Sequence, residues 1–236
     1  MTQTSTRPTR VAILDRIVDH TSDTRSIFLS LADNHKIRFV PGQFISIAIA
    51  LADETRTRPY TIASPVGEAP FEICFNRVPG GRGAEWLFDR KVGDTVEFTG
   101  PYGTFTMDSA PAAETIFIVE GTAIAPVRPM IHRASAGAHH AMTLLYAATS
   151  PEHLLYRAEF ESFAARDGTF HFEPMVTQPH DVYSRLLAEA ERRWVAADSD
   201  RSRHFYLCGV GKGIIALRDL LRGAGYQRRS VHYEQW

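Results

Sequence analysis

The stretch Arg58-Pro59-Tyr60-Thr61 combines residue types that could all contact one ligand. Arg58 offers a planar fork of donors that suits a phosphate, Tyr60 an aromatic face, and Thr61 a hydroxyl and a backbone N–H. A flavin nucleotide, with a phosphate at one end and a flat heteroaromatic ring at the other, would use all of these groups. Residue types alone favour a simpler interpretation, an edge strand with an exposed arginine and a half-buried tyrosine.

A downstream glycine loop is a second candidate phosphate site. PGGRGA, residues 79–84, runs into the helical pattern GAEWLFDR. The free N–H groups of such a loop and of the first helical turn attract anions. The loop is therefore a candidate cradle for a phosphate.

Two more loops follow strand-like runs in the second half. GTAIAP, residues 121–126, comes directly after TIFIVE, and CGVGKG, residues 208–213, directly after HFYL. Gly121 allows a tight turn, and Pro126 suits the first turn of a helix. Neither loop has the spacing Gly-x-Gly-x-x-Gly, so each one alone is more typical of a plain strand-to-helix turn. Two such loops at one edge of a parallel sheet favour a nucleotide site.

The two cysteines occupy different positions. Cys208 ends its strand and faces the proposed nucleotide edge, whereas Cys74 lies inside FEICF and is assigned to the core. Without any Cys-x-x-Cys spacing, the pair excludes an iron–sulfur cluster, a cysteine zinc site and a disulfide framework. This cysteine usage fits a reducing compartment, so we expect a cytoplasmic protein.

The first half of the chain must position the Arg58 segment. From Arg10 to Thr106, short apolar runs rich in β-branched and aromatic residues alternate with turn signals such as Pro41-Gly42 and Gly100-Pro101. This pattern predicts an antiparallel barrel or sandwich with one helix over GAEWLFDR. The predicted strands are VAILDRIV, SIFLSL, FISIAIAL, FEICF and TVEF.

The second half has a different rhythm, in which strands alternate with helices. This alternation predicts βαβ units and a parallel sheet covered on both faces. The segment MDSAPAAE, residues 107–114, has no periodicity and is interpreted as the linker. The predicted strands are TIFIVE, MTLLYAA, TFHFEPMV, HFYLC and SVHYE, with helices over residues 126–136, 153–164, 181–197 and 214–224.

Charge and hydropathy exclude several classes of protein. The chain has 26 basic and 27 acidic residues, so no overall field attracts nucleic acid or an anionic membrane. No apolar run reaches the roughly 20 residues that span a bilayer, and the polar start MTQTSTRPTR is not a secretory signal. We expect a soluble protein with no membrane span, no nucleic-acid partner and a solvated N-terminal tail.

Several motifs follow one another in a fixed order along the chain. They are PGQF at 41–44, RPYTIAS at 58–64, the glycine loop at 79–84, GPYGTF at 100–105, GTAIAP at 121–126, YRAEF at 156–160, YLCG at 206–209 and the terminal YEQW. Together these motifs resemble the ferredoxin–NAD(P) reductase family of flavoproteins. The resemblance covers nearly the whole chain from residue 41 onward, and the combination is specific although each motif alone is not.

This resemblance implies a fold of two domains. A disordered tail over residues 1–9 would precede an antiparallel Greek-key flavin-binding β-barrel domain over 10–108. An NAD(P)-binding α/β domain with a parallel sheet would follow over 109–236. Both agree with the two rhythms of the sequence.

The resemblance also implies roles for individual residues. Arg58 would hold the flavin phosphates, Tyr60 would pack on the isoalloxazine, and Thr61 would hydrogen-bond near its N5. The catalytic residues Ser64, Cys208 and Glu234 would surround the place where nicotinamide meets flavin, and Trp236 would cover the flavin face as a gate. The remaining positions implied to bind cofactor are Pro59, Gly81, Gly83, Ala84, Gly121, Thr122, Pro126 and Gly209.

Some positions depart from the family pattern. Ala84 replaces a frequent Ser or Thr at the pyrophosphate, which leaves FAD favoured and FMN possible. Ala123 replaces the last glycine of Gly-Thr-Gly, so its methyl group could hinder the dinucleotide. After FEPMV, residues 177–179 lack the arginine common in NADPH users, which favours NADH while NADPH stays open. In the loop at 208–213, Gly211 and Gly213 are expected to give flexibility, and Lys212 a cation for a phosphate.

The implied function is an FAD-dependent NAD(P)H oxidoreductase that passes electrons to a separate redox carrier. Since the chain has no ligand set for an iron–sulfur cluster, the acceptor would be a ferredoxin, a flavodoxin, a haem protein or an oxygenase component. One alternative is an NAD(P)H:flavin reductase that uses free flavin. Another is a non-catalytic electron-transfer subunit of a complex, which Ala123 would favour. The histidines, including His139 and His140, show no metal-ligand spacing, so no metal is assigned.

Overall fold

A six-stranded antiparallel sheet forms the first half of the chain in the computed structural model, which describes residues 8–33, 35–137 and 140–236. Residues 1–7 of the expected tail and His139 lie outside the described residues. The strands are β1 (Arg10–Asp19), β2 (Thr24–Leu31), β3 (Phe44–Ala50), β4 (Thr55–Thr61), β5 (Phe71–Asn76) and β6 (Thr95–Tyr102).

The sheet closes on itself around an apolar core. Its strand order is β4-β3-β6-β1-β2-β5, and a bridge from Ile62 to Ile73 links the two edges. In β3, Ile45, Ile47 and Ile49 are fully buried, as the two-residue period of a strand requires. The segment with the Arg58 motif is therefore an edge strand, and its end is paired across the closure of the barrel.

A short helix, α1 (Arg82–Phe88), follows the glycine loop as predicted. Leu87 points into the barrel core and is fully buried. This contact places the loop at 79–84 beside the end of β4.

A five-stranded parallel sheet forms the second half. Its elements are β7 (Thr115–Glu120), α2 (Ile124–Ser135), β8 (Met142–Ala148), α3 (Arg157–Arg166), β9 (Phe170–Val176), α4 (Val182–Ala190), β10 (His204–Gly209), α5 (Lys212–Gly223) and β11 (Val231–Gln235). The strand order in the sheet is β11-β10-β7-β8-β9. The predicted fold class, an antiparallel barrel followed by an α/β parallel-sheet domain, is confirmed.

Helices cover both faces of this sheet. In β7, Phe117 and Val119 pack towards α2 and α3, whereas Ile116 and Ile118 pack towards α4 and α5. A strand buried on both faces reads as a continuous apolar run, which is why TIFIVE and MTLLYAA were recognisable. Every helix within the described ranges is too short or too polar to cross a bilayer.

Two predicted helices differ from the observed ones. The helix expected over 153–164 begins only at Arg157, because Tyr156 has φ +59°, a left-handed conformation that does not continue a helix. The helix expected over 181–197 ends at Ala190 and continues as a π-helical stretch, Glu191–Ala196.

The two halves share buried side chains. Ala63 and Cys74 of the barrel pack in one apolar cluster with residues of α2 and β7. Met107, at the start of the predicted linker, is buried in the same cluster, and its N–H donates to the Pro41 carbonyl at 3.1 Å. The segment 107–114 is thus irregular, as predicted, and packed at its start.

Candidate functional site

A cleft of about 710 Å³ lies between the barrel and the parallel sheet. This volume is in the range of pockets that bind small molecules and cofactors. The barrel contributes the end of β4 and the glycine loop, and the second half contributes the loop after β7 and the C-terminal Trp236. The predicted site residues that line the cleft are Arg58, Pro59, Tyr60, Thr61, Gly81, Gly83, Ala84, Gly121, Thr122 and Trp236.

Tyr60 and Thr61 form the floor of the barrel side. The Tyr60 ring is buried against Phe75, with ring centroids 5.4 Å apart, and burial raises its pKa to about 12. The Thr61 Oγ1 is buried and has no hydrogen-bond partner among the described residues. A buried hydroxyl without a partner is costly, so a ligand polar atom at this position would stabilise the site.

Arg58 is the cation left available on the cleft wall. It makes no ion pair within the described part of the chain, whereas Arg56 pairs with Glu54 and Arg82 with Asp53, each at 2.5 Å. An exposed guanidinium without a carboxylate partner is suited to bind a phosphate in a bidentate manner.

Gly83 allows the glycine loop to approach β4 closely. A Cβ at this position would lie 3.0 Å from Arg58 Cγ and 3.2 Å from the Tyr60 hydroxyl. A side chain would therefore fill the space between the helix start and the arginine. The free hydroxyl of Thr61, the unpaired Arg58 and this close glycine together fit the ring and phosphates of a flavin nucleotide.

The opposite wall lies at the switch point of the parallel sheet. The chain leaves β7 for β8 on one side, while β10 pairs with β7 on the other side. Ligands of open α/β sheets bind at such points, beyond the carboxyl ends of the strands. Gly121 has φ +56°, and the Thr122 hydroxyl donates across the cleft to Asn76 Oδ1 at 3.3 Å.

Tyr183 holds the loop at residues 208–213 in place. Its hydroxyl accepts the Val210 N–H at 2.7 Å and donates to Glu120 Oε2 at 3.0 Å. A Cβ at Gly213 would lie 2.1 Å from the Tyr183 ring, and one at Gly209 would lie 2.4 Å from its hydroxyl. Gly213 is therefore explained by packing under an aromatic ring, which differs from the flexibility expected from the sequence.

Cys208, Glu234 and Trp236 form one group at the ends of β10 and β11. Cys208 is paired with Glu234 in the parallel ladder, and the Trp236 Nε1 donates to Cys208 Sγ at 3.1 Å. Burial raises the pKa of the Cys208 thiol, which stays protonated. The Glu234 Oε2 is buried without a partner among the described residues, and burial raises the pKa of this carboxyl to about 7.

Five predicted site residues lie behind the cleft wall. Ser64 is buried, and its Oγ accepts the Glu72 N–H at 2.9 Å. Cys208 and Glu234 lie next to Trp236. Pro126 is buried within α2, and Gly209 lies under Tyr183.

Other cleft residues were not predicted as site residues. Thr149 follows β8 at the same sheet edge as Gly121, so the rule for parallel strands could have identified it. Cys74 is in the core as predicted, and it also borders the cleft. Four further residues line the cleft although no sequence motif pointed to them; the fold places them there. These are Asp23, Thr24, Asn76 and His153.

The raised pKa of Glu234 predicts a pH-dependent stability. Because the folded-state pKa of about 7 exceeds the ordinary value of 4.5, the folded protein binds the proton more tightly than the unfolded chain. The free energy of unfolding should therefore fall as the pH rises from about 4.5 to 7. Glu234→Gln should remove this pH-dependent loss. Urea unfolding of both proteins at pH 5 and pH 8 measures the difference. A parallel pH dependence in the two proteins would contradict the buried carboxyl.

Comparison with known proteins agrees with this geometry. Residues 12–107 match the oxidoreductase FAD-binding domain and residues 117–217 the oxidoreductase NAD-binding domain. The chain is 30% identical over 224 residues to ferredoxin–NADP reductase B of Sorangium cellulosum, covering 90% of this chain and 91% of the relative. It is 31% identical to the glycine betaine monooxygenase reductase subunit of Pseudomonas aeruginosa, covering 93% of this chain and only 62% of that one.

A solved structure shows the same architecture. The crystal structure of the Amycolatopsis cytochrome P450 reductase GcoB superposes with a TM-score of 0.81 at 25% identity, covering 98% of this chain and 71% of that one. From the two domain matches, and from a relative that is similar over nearly its whole length, we conclude that this chain belongs to the ferredoxin–NADP reductase family.

Proposed function

We propose that this protein is an FAD-dependent NAD(P)H reductase that passes electrons to a separate one-electron acceptor. The observation that carries the proposal is the cleft of about 710 Å³ between the halves. On one wall it has Tyr60 and the unpartnered Thr61 hydroxyl, and on the other the Gly121 loop and Trp236. A flat ring on the first wall would be within reach of a dinucleotide on the second.

The barrel residues would bind and orient the flavin. Arg58 and the N–H groups around Gly83 would hold its phosphates, and the Tyr60 ring would pack on the isoalloxazine. The Thr61 hydroxyl would form a hydrogen bond near N5. Bound FAD supplies the chemistry, because it accepts two electrons from a nicotinamide and releases them one at a time.

Residues of the second half would bind the nicotinamide and exclude water. Trp236 lies against Cys208 and would have to move aside for a nicotinamide to reach the flavin. Glu234 would then stabilise the positive charge that develops on the ring, as its Oε2 has no hydrogen-bond partner in the part of the chain that the structure describes. Ser64 lies behind the cleft wall, so it would support the site indirectly, by accepting the Glu72 N–H and holding that backbone in place. NADH is the favoured donor, because residues 177–179 carry no basic side chain.

The acceptor is proposed to be another protein. The relatives named above are a ferredoxin–NADP reductase and a monooxygenase reductase subunit, which supports a ferredoxin or an oxygenase component. The proposal also includes a flavodoxin or a haem protein as the electron acceptor. We also propose a cytoplasmic location, because both cysteines are free thiols.

Flavin content and reduction kinetics test this function. The purified protein should be yellow with about one FAD per chain, and NADH or NADPH should bleach it within seconds under anaerobic conditions. Ferredoxin or cytochrome c, added in excess, should then restore the colour. A protein that stays colourless after incubation with FAD or FMN would refute the proposal. Flavin that is turned over without being retained would show a free-flavin reductase, and retained flavin that NAD(P)H does not reduce would show a non-catalytic subunit.

A further inference from the structure

Arg128 on α2 connects the two halves of the protein. Its Nη1 donates to the Ala63 carbonyl at 3.1 Å and to Glu72 Oε2 at 2.8 Å, both in the barrel half. Its Nε donates to both carboxylate oxygens of Glu159 on α3, at 2.9 and 3.0 Å. One guanidinium is thus shared by two carboxylates from different halves.

Glu72 is the partner of this arginine in the barrel. Its side chain is only 4% exposed, and that of Arg128 is 12% exposed. The other carboxylate oxygen of Glu72 accepts the Ser26 hydroxyl at 2.5 Å and the Tyr156 hydroxyl at 2.7 Å. Each oxygen of this buried carboxylate therefore accepts a hydrogen bond from the second half, Oε1 from Tyr156 and Oε2 from Arg128, in addition to the bond from Ser26 within the barrel.

The backbone at Tyr156 is adapted to this arrangement. Tyr156 is the only residue other than glycine with a positive φ among those described. Its ring lies 4.3 Å from the Arg128 guanidinium and its hydroxyl reaches Glu72. A non-glycine residue keeps such a conformation only when its surroundings hold it there.

Arg128 lies near segments that form both walls of the cleft. Ala63 lies two residues after Thr61, whose free hydroxyl faces the cleft. Arg128 lies one helical turn after Ile124, where α2 begins directly beyond the loop that starts at Gly121. The guanidinium therefore links the strand that would hold the flavin ring to the helix whose preceding loop would hold the nicotinamide.

We propose that Arg128, through Glu72 and Ala63, is a positioning residue that sets the distance between the flavin-binding strand and the nicotinamide-binding loop. The proposal rests on the reductase function above, because the distance matters for activity only if both ligands bind. Small errors in the placement of reacting groups lower rates strongly. Arg128 itself contacts neither ligand site.

The kinetic test compares two buried arginines. Arg128→Met should slow flavin reduction at saturating NADH at least about tenfold, with little change in FAD affinity. Arg203→Met is the matched control, because Arg203 is 13% exposed and bridges Glu114 and Asp198 within the second half. The control should reduce flavin at the wild-type rate whatever its loss of stability. Equal rates for Arg128→Met and wild type, or equal slowing in both variants, would overturn the positioning role.

A double substitution separates positioning from an uncompensated charge. Arg128→Met with Glu72→Gln removes both buried charges, so it should regain stability while flavin reduction stays slow. A wild-type rate in this folded double variant would overturn the proposal.

A distance measurement tests the same role without flavin. Nitroxide labels on Val92→Cys and Arg229→Cys, both exposed and in different halves, report the separation of the halves in the apoprotein. The native Cys74 and Cys208 are buried and should not react. Arg128→Met should broaden the distance distribution, and Arg203→Met should not. An unchanged distribution would reject the positioning role, even if the protein proved unable to bind FAD and the reductase function itself failed.

Discussion

Glu234→Gln is expected to reduce the rate of flavin reduction by NADH about 100-fold at pH 8, with FAD still bound. The Glu234 Oε2 is buried and has no partner within residues 8–33, 35–137 and 140–236, and in a site of low dielectric it would strongly favour a cationic nicotinamide ring. The amide keeps the shape of the side chain and removes its negative charge. Stopped-flow absorbance of the flavin at saturating NADH measures this step directly.

The pH profile gives this prediction a second signature. Since burial raises the pKa of Glu234 to about 7, the wild-type carboxyl is protonated at pH 5 and its rate should approach that of the variant. The advantage of the wild type should therefore grow as pH rises through 7. Glu97→Gln, the same chemical change on an exposed residue of β6, serves as the control and should leave the profile unchanged. Equal rates for Glu234→Gln and wild type at pH 8 would refute the role.

Trp236→Ala is expected to tighten binding of the oxidised dinucleotide by about tenfold or more. Trp236 is 44% exposed, lines the cleft and donates to Cys208, so in the proposed gate role a nicotinamide would displace it before binding. When only a fraction of the protein is open, the apparent affinity falls by that fraction. Removing the ring removes this cost. Titration calorimetry with NAD+ and NADP+ measures the gain for each.

A second variant identifies which property of Trp236 matters. Trp236→Phe keeps an aromatic ring and lacks the N–H that donates to Cys208. If the ring itself blocks the site, this variant should bind the dinucleotide as weakly as wild type does. If the hydrogen bond holds the gate closed, it should bind as tightly as Trp236→Ala. Unchanged affinity and unchanged selectivity in both variants would show that Trp236 is not a gate.

Local patterns predicted the elements of this protein well where burial is uniform. The runs TIFIVE and MTLLYAA coincide with β7 and β8, because a strand covered on both faces is apolar throughout. The family motif singled out the Arg58 segment as a ligand site, whereas residue types alone favoured an edge strand; the segment is an edge strand and lines the cleft. Both patterns are contained within a few adjacent residues.

The features that escaped prediction depend on contacts between distant residues. Tyr156 interrupts a helical pattern with its positive φ, and its hydroxyl donates to Glu72, which is 84 residues away in sequence. Arg128 and Glu72 are 56 residues apart, so no periodicity relates them. The family motif did not reveal that Ser64 lies behind the cleft wall, because a motif names residues without their partners.

The fit of Tyr183 over Gly209 and Gly213 has a consequence for redesign of coenzyme preference. A transplanted loop with a side chain at position 209 or 213 would collide with this ring, unless the tyrosine were exchanged with it. Tyr183, Gly209, Gly213 and Glu120 contact one another, so a chimaeric protein should take all four residues from the same parent.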